Sequence, residues 1–169
     1  MENGMQSLPW HDIHHLHAAE GWLGLGCWRE ANDELHEITP EHIGHPSVLR
    51  IRWAVHDAGQ QWDQAMEVAT ALTLTTPDDP TVWLLRSFAL HQMKRTREAR
   101  DSLAAVIPRF PEYSLMRYNL ACYEAVLGNF RRACDWLRQA FHLPAGAELR
   151  ADALQDRDLE PIWPKIDTL

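Results

Sequence analysis

The residues best suited to chemistry lie near the N-terminus, where residues 10–17 read WHDIHHLH. On a helix His11, His14 and His15 share one face, a spacing that lets imidazoles from consecutive turns reach one metal ion, and Asp12 could add an oxygen ligand. No Glu stands between paired histidines in an HExxH order, however. Because an acidic chain with 10 histidines forms such clusters by chance, we predict no functional metal site and no cofactor.

Cys27, Cys122 and Cys134 are the other candidate reactive groups. An odd number of cysteines without CxxC spacing argues against a disulfide framework and a thiolate zinc site, and favours a reducing compartment. We therefore predict that Cys122 and Cys134 fill small apolar positions in helices. The signatures GxSxG, GxxxxGK[ST] and GxGxxG are also absent, so the sequence predicts a protein that is not an enzyme.

Charge is spread unevenly along the 169 residues, whose net charge is −8. Residues 1–85 carry a net charge of −10, residues 86–150 of +5 and residues 151–169 of −3. This balance opposes general nucleic-acid binding, and a solvated arginine-rich helix face is the commoner meaning of the basic part. The start, MENGMQSLPW, has no basic or apolar run, and no stretch of about 18 apolar residues follows. We expect a cytoplasmic protein that does not enter a membrane.

The helices that would position a functional site recur at a regular spacing along the chain. Four alanines, each 34 residues from the next, mark the repeat: Ala31, Ala65, Ala99 and Ala133. Apolar or small residues recur mostly at offsets of −3, +4 and +7 from them: Trp28, Trp62, Thr96, Phe130, Leu35, Ala69, Leu103, Leu137, Ile38, Leu72, Val106 and Ala140. These offsets fall on one face of a helix, and another helix-length stretch precedes each such segment. The sequence therefore predicts four helix-turn-helix units, with breaks at Leu25-Gly26, Gly59, Met93-Lys94 and Leu127-Gly128.

A 34-residue unit of this kind, clearest in YNLACYEAVLGNFRRA at residues 118–133, resembles the tetratricopeptide repeat. The resemblance implies an all-α fold, a right-handed α-solenoid of about four repeats with a C-terminal capping helix. It implies one domain over residues 1–169, with repeats at about 12–45, 46–79, 80–113 and 114–145 and a cap at 146–169. The acidic, proline-containing tail is interpreted as a solvating capping helix, in which we expect Leu159, Ile162 and Trp163 to pack back onto the fourth repeat.

In this family the first helices of the repeats line a concave groove that binds peptides. The resemblance implies these groove residues: Arg50, Ile51, Ala54, Leu84, Leu85, Phe88, Tyr118, Asn119 and Cys122. The middle of such a groove is apolar and aromatic, which suits a segment anchored by hydrophobic side chains. Some family members clamp acidic C-termini with Lys, Asn and Arg, but only Asn119 stands at a clamp position, so we do not expect that specialisation.

Arg52 and Arg86 stand one repeat apart, where leucine is usual in the family. Either their stems pack while their heads reach solvent or a carboxylate, or the two guanidinium groups together hold an acidic group of a partner.

We therefore predict a non-catalytic scaffold or adaptor whose partner is another protein or an extended peptide. A secretion-type chaperone that holds a partner segment in the groove is one alternative, and a metal-dependent protein using the histidine segment is a weaker one. Trp10 and Trp163, two of 8 tryptophans, leave a homo-oligomer open.

Overall fold

The computed structural model describes residues 7–169, which form helices and turns without a strand. Eight α-helices form four hairpins and two shorter helices follow: α1 (Trp10–Gly24), α2 (Trp28–His36), α3 (Pro46–Ala58), α4 (Trp62–Thr75), α5 (Pro80–Gln92), α6 (Thr96–Ala104), α7 (Ser114–Val126), α8 (Phe130–Phe141), α9 (Gly146–Ala153) and α10 (Trp163–Ile166). Three 3-10 segments lie between them: Pro40–His42, Ile107–Arg109 and Arg157–Ile162. The prediction of an all-α fold of helical hairpins is confirmed.

The expectation of a cytoplasmic protein rests partly on residues 1–6, which lie outside the described residues. Over residues 7–169, no helix combines the length and the apolar character needed to cross a membrane.

Each hairpin turns through the same backbone conformation. A residue with positive φ stands in each turn, and these residues are 34 positions apart: Gly26 (76°), Gln60 (54°), Lys94 (63°) and Gly128 (80°). In the first turn the amide of Gly26 bonds to the carbonyl of Leu23 and the amide of Cys27 to that of Trp22, both at 2.9 Å, and the other three turns have the same pair of bonds. This Schellman arrangement satisfies the last carbonyls of the first helix and redirects the chain into the second.

The repeated alanines hold the two helices of each hairpin close together. Ala31, Ala65, Ala99 and Ala133 have no exposed surface. The residues four and seven positions further along are buried as well: Leu35, Ala69, Leu103, Leu137, Ile38, Leu72, Val106 and Ala140. A side chain larger than a methyl group would force the helices apart. The predicted buried face is confirmed at the positions four and seven after each alanine, whereas three before it Trp28 and Trp62 are partly exposed and Phe130 is exposed.

The chain divides into two compact units, one ending at Pro77 and the other beginning at Asp78. In the first unit, α1, α2 and α3, with Ile38 after α2, form an apolar core of Leu16, Ala19, Ala31, Leu35, Ile38, Val48 and Val55. Asp12 is fully buried beside this core, and its Oδ1 accepts hydrogen bonds from the Thr39 amide at 3.0 Å and hydroxyl at 2.6 Å. Its Oδ2 lies 2.6 Å from His42 Nδ1. These bonds tie the start of α1 to the residues around Pro40–His42.

In the second unit, α7 is the most enclosed helix. It packs against α6, α8 and the 3-10 segment Arg157–Ile162, and its residues 120–125 are all buried. The helix α9 begins at Gly146, where a Cβ atom would stand 2.5 Å from the carbonyl oxygens of both Ala140 and Phe141. Only glycine therefore allows α9 to start so close to the end of α8.

The predicted cap is present on α7 and α8, although much of it is not α-helical. Leu159, Ile162 and Ile166 have no exposed surface, while Trp163 is partly exposed. The prediction that Leu159 and Ile162 pack inward is confirmed. The prediction of one domain over residues 1–169 stays a prediction.

Candidate peptide-binding face

The histidines of α1 bond to α2 and to the residues that follow it. His15 Nδ1 lies 2.7 Å from Glu34 Oε2, and this hydrogen bond holds the pKa of Glu34 below its usual value. His11 donates from Nε2 to the carbonyl of Glu37 at 3.1 Å. Among residues 7–169, no group of three His, Cys, Asp or Glu side chains is placed to hold a metal ion. That the protein needs no metal stays a prediction.

The cysteines are free thiols, and two of them, Cys122 and Cys134, are buried. Burial, reinforced by the charge of Asp156, raises the pKa of the Cys122 thiol well above its usual value. A thiol that keeps its proton is a poor nucleophile. Cys122 therefore has a packing and hydrogen-bonding role.

In the first unit, the predicted groove residues Arg50, Ile51 and Ala54 lie on α3 and are partly exposed. Ile51 also packs against the apolar core of that unit. Arg52 donates from Nη2 to the carbonyl of Leu35 at 3.3 Å, where its positive charge suits the C-terminal end of α2. Burial lowers the pKa of Arg52.

Arg86 belongs to the second unit, where it lies near Glu98. The pKa of Glu98 is lowered first by hydrogen bonds from Arg95 and more weakly by the charges of Arg95 and Arg86. Arg52 and Arg86 thus each have neighbours within their own units. That the two together hold an acidic group of a partner stays a prediction.

The predicted groove residues of the second unit differ in exposure. On α5, Leu84 is buried while Leu85 and Phe88 are partly exposed. On α7, Tyr118 and Cys122 are buried, at 7% and 4% exposure. They do not face an open groove, because residues 156–166, hereafter the C-terminal segment, cover them.

Asn119 lies beside the covered residues and is partly exposed. Its amide nitrogen Nδ2 donates to the carbonyl of Leu115 at 2.9 Å, within α7 itself. Asn119 is therefore not part of a carboxylate clamp in this structure.

Side chains of α5 and α7, the first helices of the third and fourth hairpins, donate hydrogen bonds to the C-terminal segment. The Tyr118 hydroxyl donates to Asp156 Oδ2 at 2.9 Å, and Cys122 Sγ donates to the same oxygen at 3.4 Å. From α5, His91 donates from Nε2 to Asp158 Oδ2 at 3.0 Å. Burial raises the pKa of Tyr118, so its phenol keeps the proton that it donates. We call this surface of α5 and α7, formed by His91, Tyr118 and Cys122 with Leu85 and Phe88 on α5, the first-helix face.

Asp156 and Asp158 in the cap are partly exposed, and they also accept hydrogen bonds from α7 and α5. The family resemblance also implies a groove-lining position for His91, but it does not imply the contact with Asp158. Helical periodicity could not reveal these contacts, because they join residues 38 and 67 positions apart. The available signal was two aspartates, two positions apart, directly before Leu159.

Solved structures of MamA, a tetratricopeptide-type protein, superpose on this arrangement of helices. MamA of MSR-1 gives a TM-score of 0.66 at 17% identity, covering 76% of this chain and 74% of that chain. MamA of AMB-1 gives a TM-score of 0.65 at 17% identity, covering 89% of this chain and 78% of that chain. The fold is of the tetratricopeptide type. At this level of identity the likeness concerns the fold alone.

Other comparisons add nothing to the tetratricopeptide-type fold. No protein-family profile matches the sequence, and no curated protein matches it.

Proposed function

We propose that the protein is a non-catalytic scaffold that binds an extended segment of another protein on its first-helix face. The observation that carries this proposal is that the face already holds a stretch of polypeptide. The C-terminal segment is bound there by hydrogen bonds from both α5 and α7 and by fully buried aliphatic side chains. A helical surface that holds one such stretch offers the donors and apolar contacts that a partner's segment needs.

Two partly exposed apolar side chains of α5 extend this surface. On α5, Phe88 lies about one helical turn before His91 and Leu85 nearly two turns before it. Large apolar side chains of this kind supply most of the binding free energy at peptide-binding surfaces. The partner is therefore expected to place a hydrophobic side chain against Phe88.

The chemistry of the face supports binding rather than catalysis. A nucleophilic thiol or general base needs a pKa shifted toward the reactive form. Here burial shifts the pKa values of Cys122 and Tyr118 the other way, and both groups are engaged with Asp156. These groups act as fixed hydrogen-bond donors.

The test is a titration of a partner co-purified from the native host. Phe88→Ala should weaken binding by about 1–3 kcal/mol. The matched control is Phe130→Ala, which removes an aromatic ring of 41% exposure from α8. Normal binding by Phe88→Ala, or an equal loss in both variants, would count against this face as the binding surface. Melting temperatures of both variants would show whether the fold is intact.

A further inference from the structure

The C-terminal segment presents a regular chemical pattern to the first-helix face. Asp156 and Asp158 reach the donors of α5 and α7, and Leu159, Ile162 and Ile166 are fully buried. The residues between them, Arg157, Glu160 and Pro161, are exposed. The face therefore contacts two carboxylates two positions apart, and buried aliphatic side chains follow them in the segment at intervals of three or four.

The segment has its own internal framework. Asp158 donates its amide to Asp156 Oδ1 at 2.9 Å, and Trp163 donates from Nε1 to the carbonyl of Asp156 at 3.1 Å. Its hydrogen bonds to α5 and α7 run through side chains. The segment can therefore leave the face without breaking the backbone hydrogen bonds of any hairpin, which is the condition for a local opening.

We propose that the C-terminal segment is a resident, displaceable ligand of the first-helix face, and that partner segments replace it by carrying the same pattern of two acidic and several aliphatic side chains. This proposal rests on the proposed function and identifies the class of partner: an acidic-aliphatic peptide. The Tyr118 O–H, the Cys122 S–H and the His91 N–H all donate to carboxylate oxygen here, and a basic side chain offers these three donors no oxygen to bind. Partners with basic residues at the two acidic positions lose these hydrogen bonds and should bind more weakly.

The buried thiol of Cys122 reports whether the segment leaves the face. It lies beneath Asp156, whereas Cys134, also buried, lies on α8. The rate of modification of each cysteine by a thiol reagent is followed by mass spectrometry on the full chain under native conditions. Leu159→Ala should raise the rate at Cys122 at least tenfold and change the rate at Cys134 less than twofold.

The matched control is Leu103→Ala, which removes the same side chain from a buried position in α6 of the same unit. It should raise the two rates together, since it weakens the unit as a whole. If Leu159→Ala also raises both rates equally, the segment opens only with global unfolding and the proposal is overturned.

A synthetic peptide of residues 155–167 then tests the chemistry of the occupant. Added to the Leu159→Ala protein, it should slow the modification of Cys122, while a peptide with Asn at both aspartate positions should not. Equal effects of the two peptides, or none, would refute recognition of the acidic pair. A rate at Cys122 that falls as the protein concentration rises would show a second copy of the chain as the occupant, which also overturns the proposal.

These outcomes separate the two proposals. If the partner binds in a Phe88-dependent way but Cys122 opens only with Cys134, the displaceable ligand is wrong and the scaffold function stands. If Phe88→Ala leaves partner binding unchanged while the peptide protects Cys122, the scaffold proposal fails on its own test.

Discussion

At the scale of single residues, the tightest steric constraint lies at the repeated alanines. Ala99 has no exposed surface, and the helices of its hairpin meet there. Ala99→Leu should lower the free energy of unfolding by about 1–3 kcal/mol, because three added carbons overpack the contact. Ala104→Leu, in the same helix but exposed, is the control and should be close to neutral. Urea unfolding of both variants tests this, and equal stabilities would contradict the assigned packing.

The ionised carboxylate of Asp12 stabilises the folded state. Burial alone would raise its pKa, but hydrogen bonds from Thr39 and His42 outweigh burial and hold the pKa below the usual 3.8. A carboxyl whose pKa is lower in the folded state stabilises the fold above its unfolded-state pKa. That contribution is lost as the pH falls through the folded-state pKa.

Asp12→Ala should therefore lower the free energy of unfolding by about 1–3 kcal/mol at neutral pH, through loss of buried hydrogen bonds. The difference from wild type should shrink as the pH falls below about 4, where the carboxyl is first protonated in the unfolded state, and through the lower folded-state pKa. Denaturant unfolding at neutral and acidic pH measures this. Asp33→Ala, at an exposed position of α2, should show no such pH-dependent loss. A difference for Asp12→Ala that stays constant with pH would show that its charge is irrelevant.

At the scale of the elements, two glycines near the end of α1 should respond oppositely to the same substitution. A Cβ atom would meet nothing within 4 Å at either Gly21 or Gly26, so backbone conformation alone distinguishes them. Gly21→Ala, in the helix, should raise the free energy of unfolding by about 0.5–1 kcal/mol. Gly26→Ala should lower it by about 1 kcal/mol, because φ there is 76°. Thermal melts of the two variants should shift in opposite directions, and a shift in the same direction would contradict the turn assignment.

The hairpins could be predicted from the sequence because their determinants are local and repeated. The 34-residue spacing of Ala31, Ala65, Ala99 and Ala133 fixed the second helices, and the breaks marked the turns. The turn residues Gln60 and Lys94 show that position outweighs residue type, since neither favours the positive φ that it adopts. The 34-residue repeat in the sequence is therefore enough to predict the helices and turns of the hairpins.

The position of the C-terminal segment against α5 and α7 could not be predicted in the same way. Acidic, proline-containing tails are usually solvated, and nothing local in residues 156–162 shows that Asp156 and Asp158 find donors. Those donors come from two different helices, α5 and α7, at long sequence separation. Exposure was the part of the candidate site that the sequence missed, because a residue's position on a helix face does not say what covers that face.

At the scale of the whole molecule, the distribution of charge and the hydrogen-bonding side chains of the first-helix face predict different responses to salt. Residues 86–150 carry a net charge of +5, which would attract an acidic partner over a distance set by the ionic strength. Hydrogen bonds from Tyr118, Cys122 and His91, together with apolar contacts at Leu85 and Phe88, act only at contact distance. Salt should therefore slow the association of a partner more than it weakens the complex.

The affinity of the co-purified partner should accordingly fall less than about threefold between about 0.05 and 0.5 M salt, a range over which screening shortens the reach of surface charges. A double variant, Arg52→Gln with Arg86→Gln, should bind within about twofold of wild type, because surface charge pairs contribute little. Titrations of wild type, the double variant and Phe88→Ala at low and high salt make the comparison. If high salt and the arginine substitutions each abolish binding while Phe88→Ala binds normally, charge on Arg52 and Arg86 holds the partner. The first-helix face would then bind only the protein's own C-terminal segment, and it would not be the partner-binding surface.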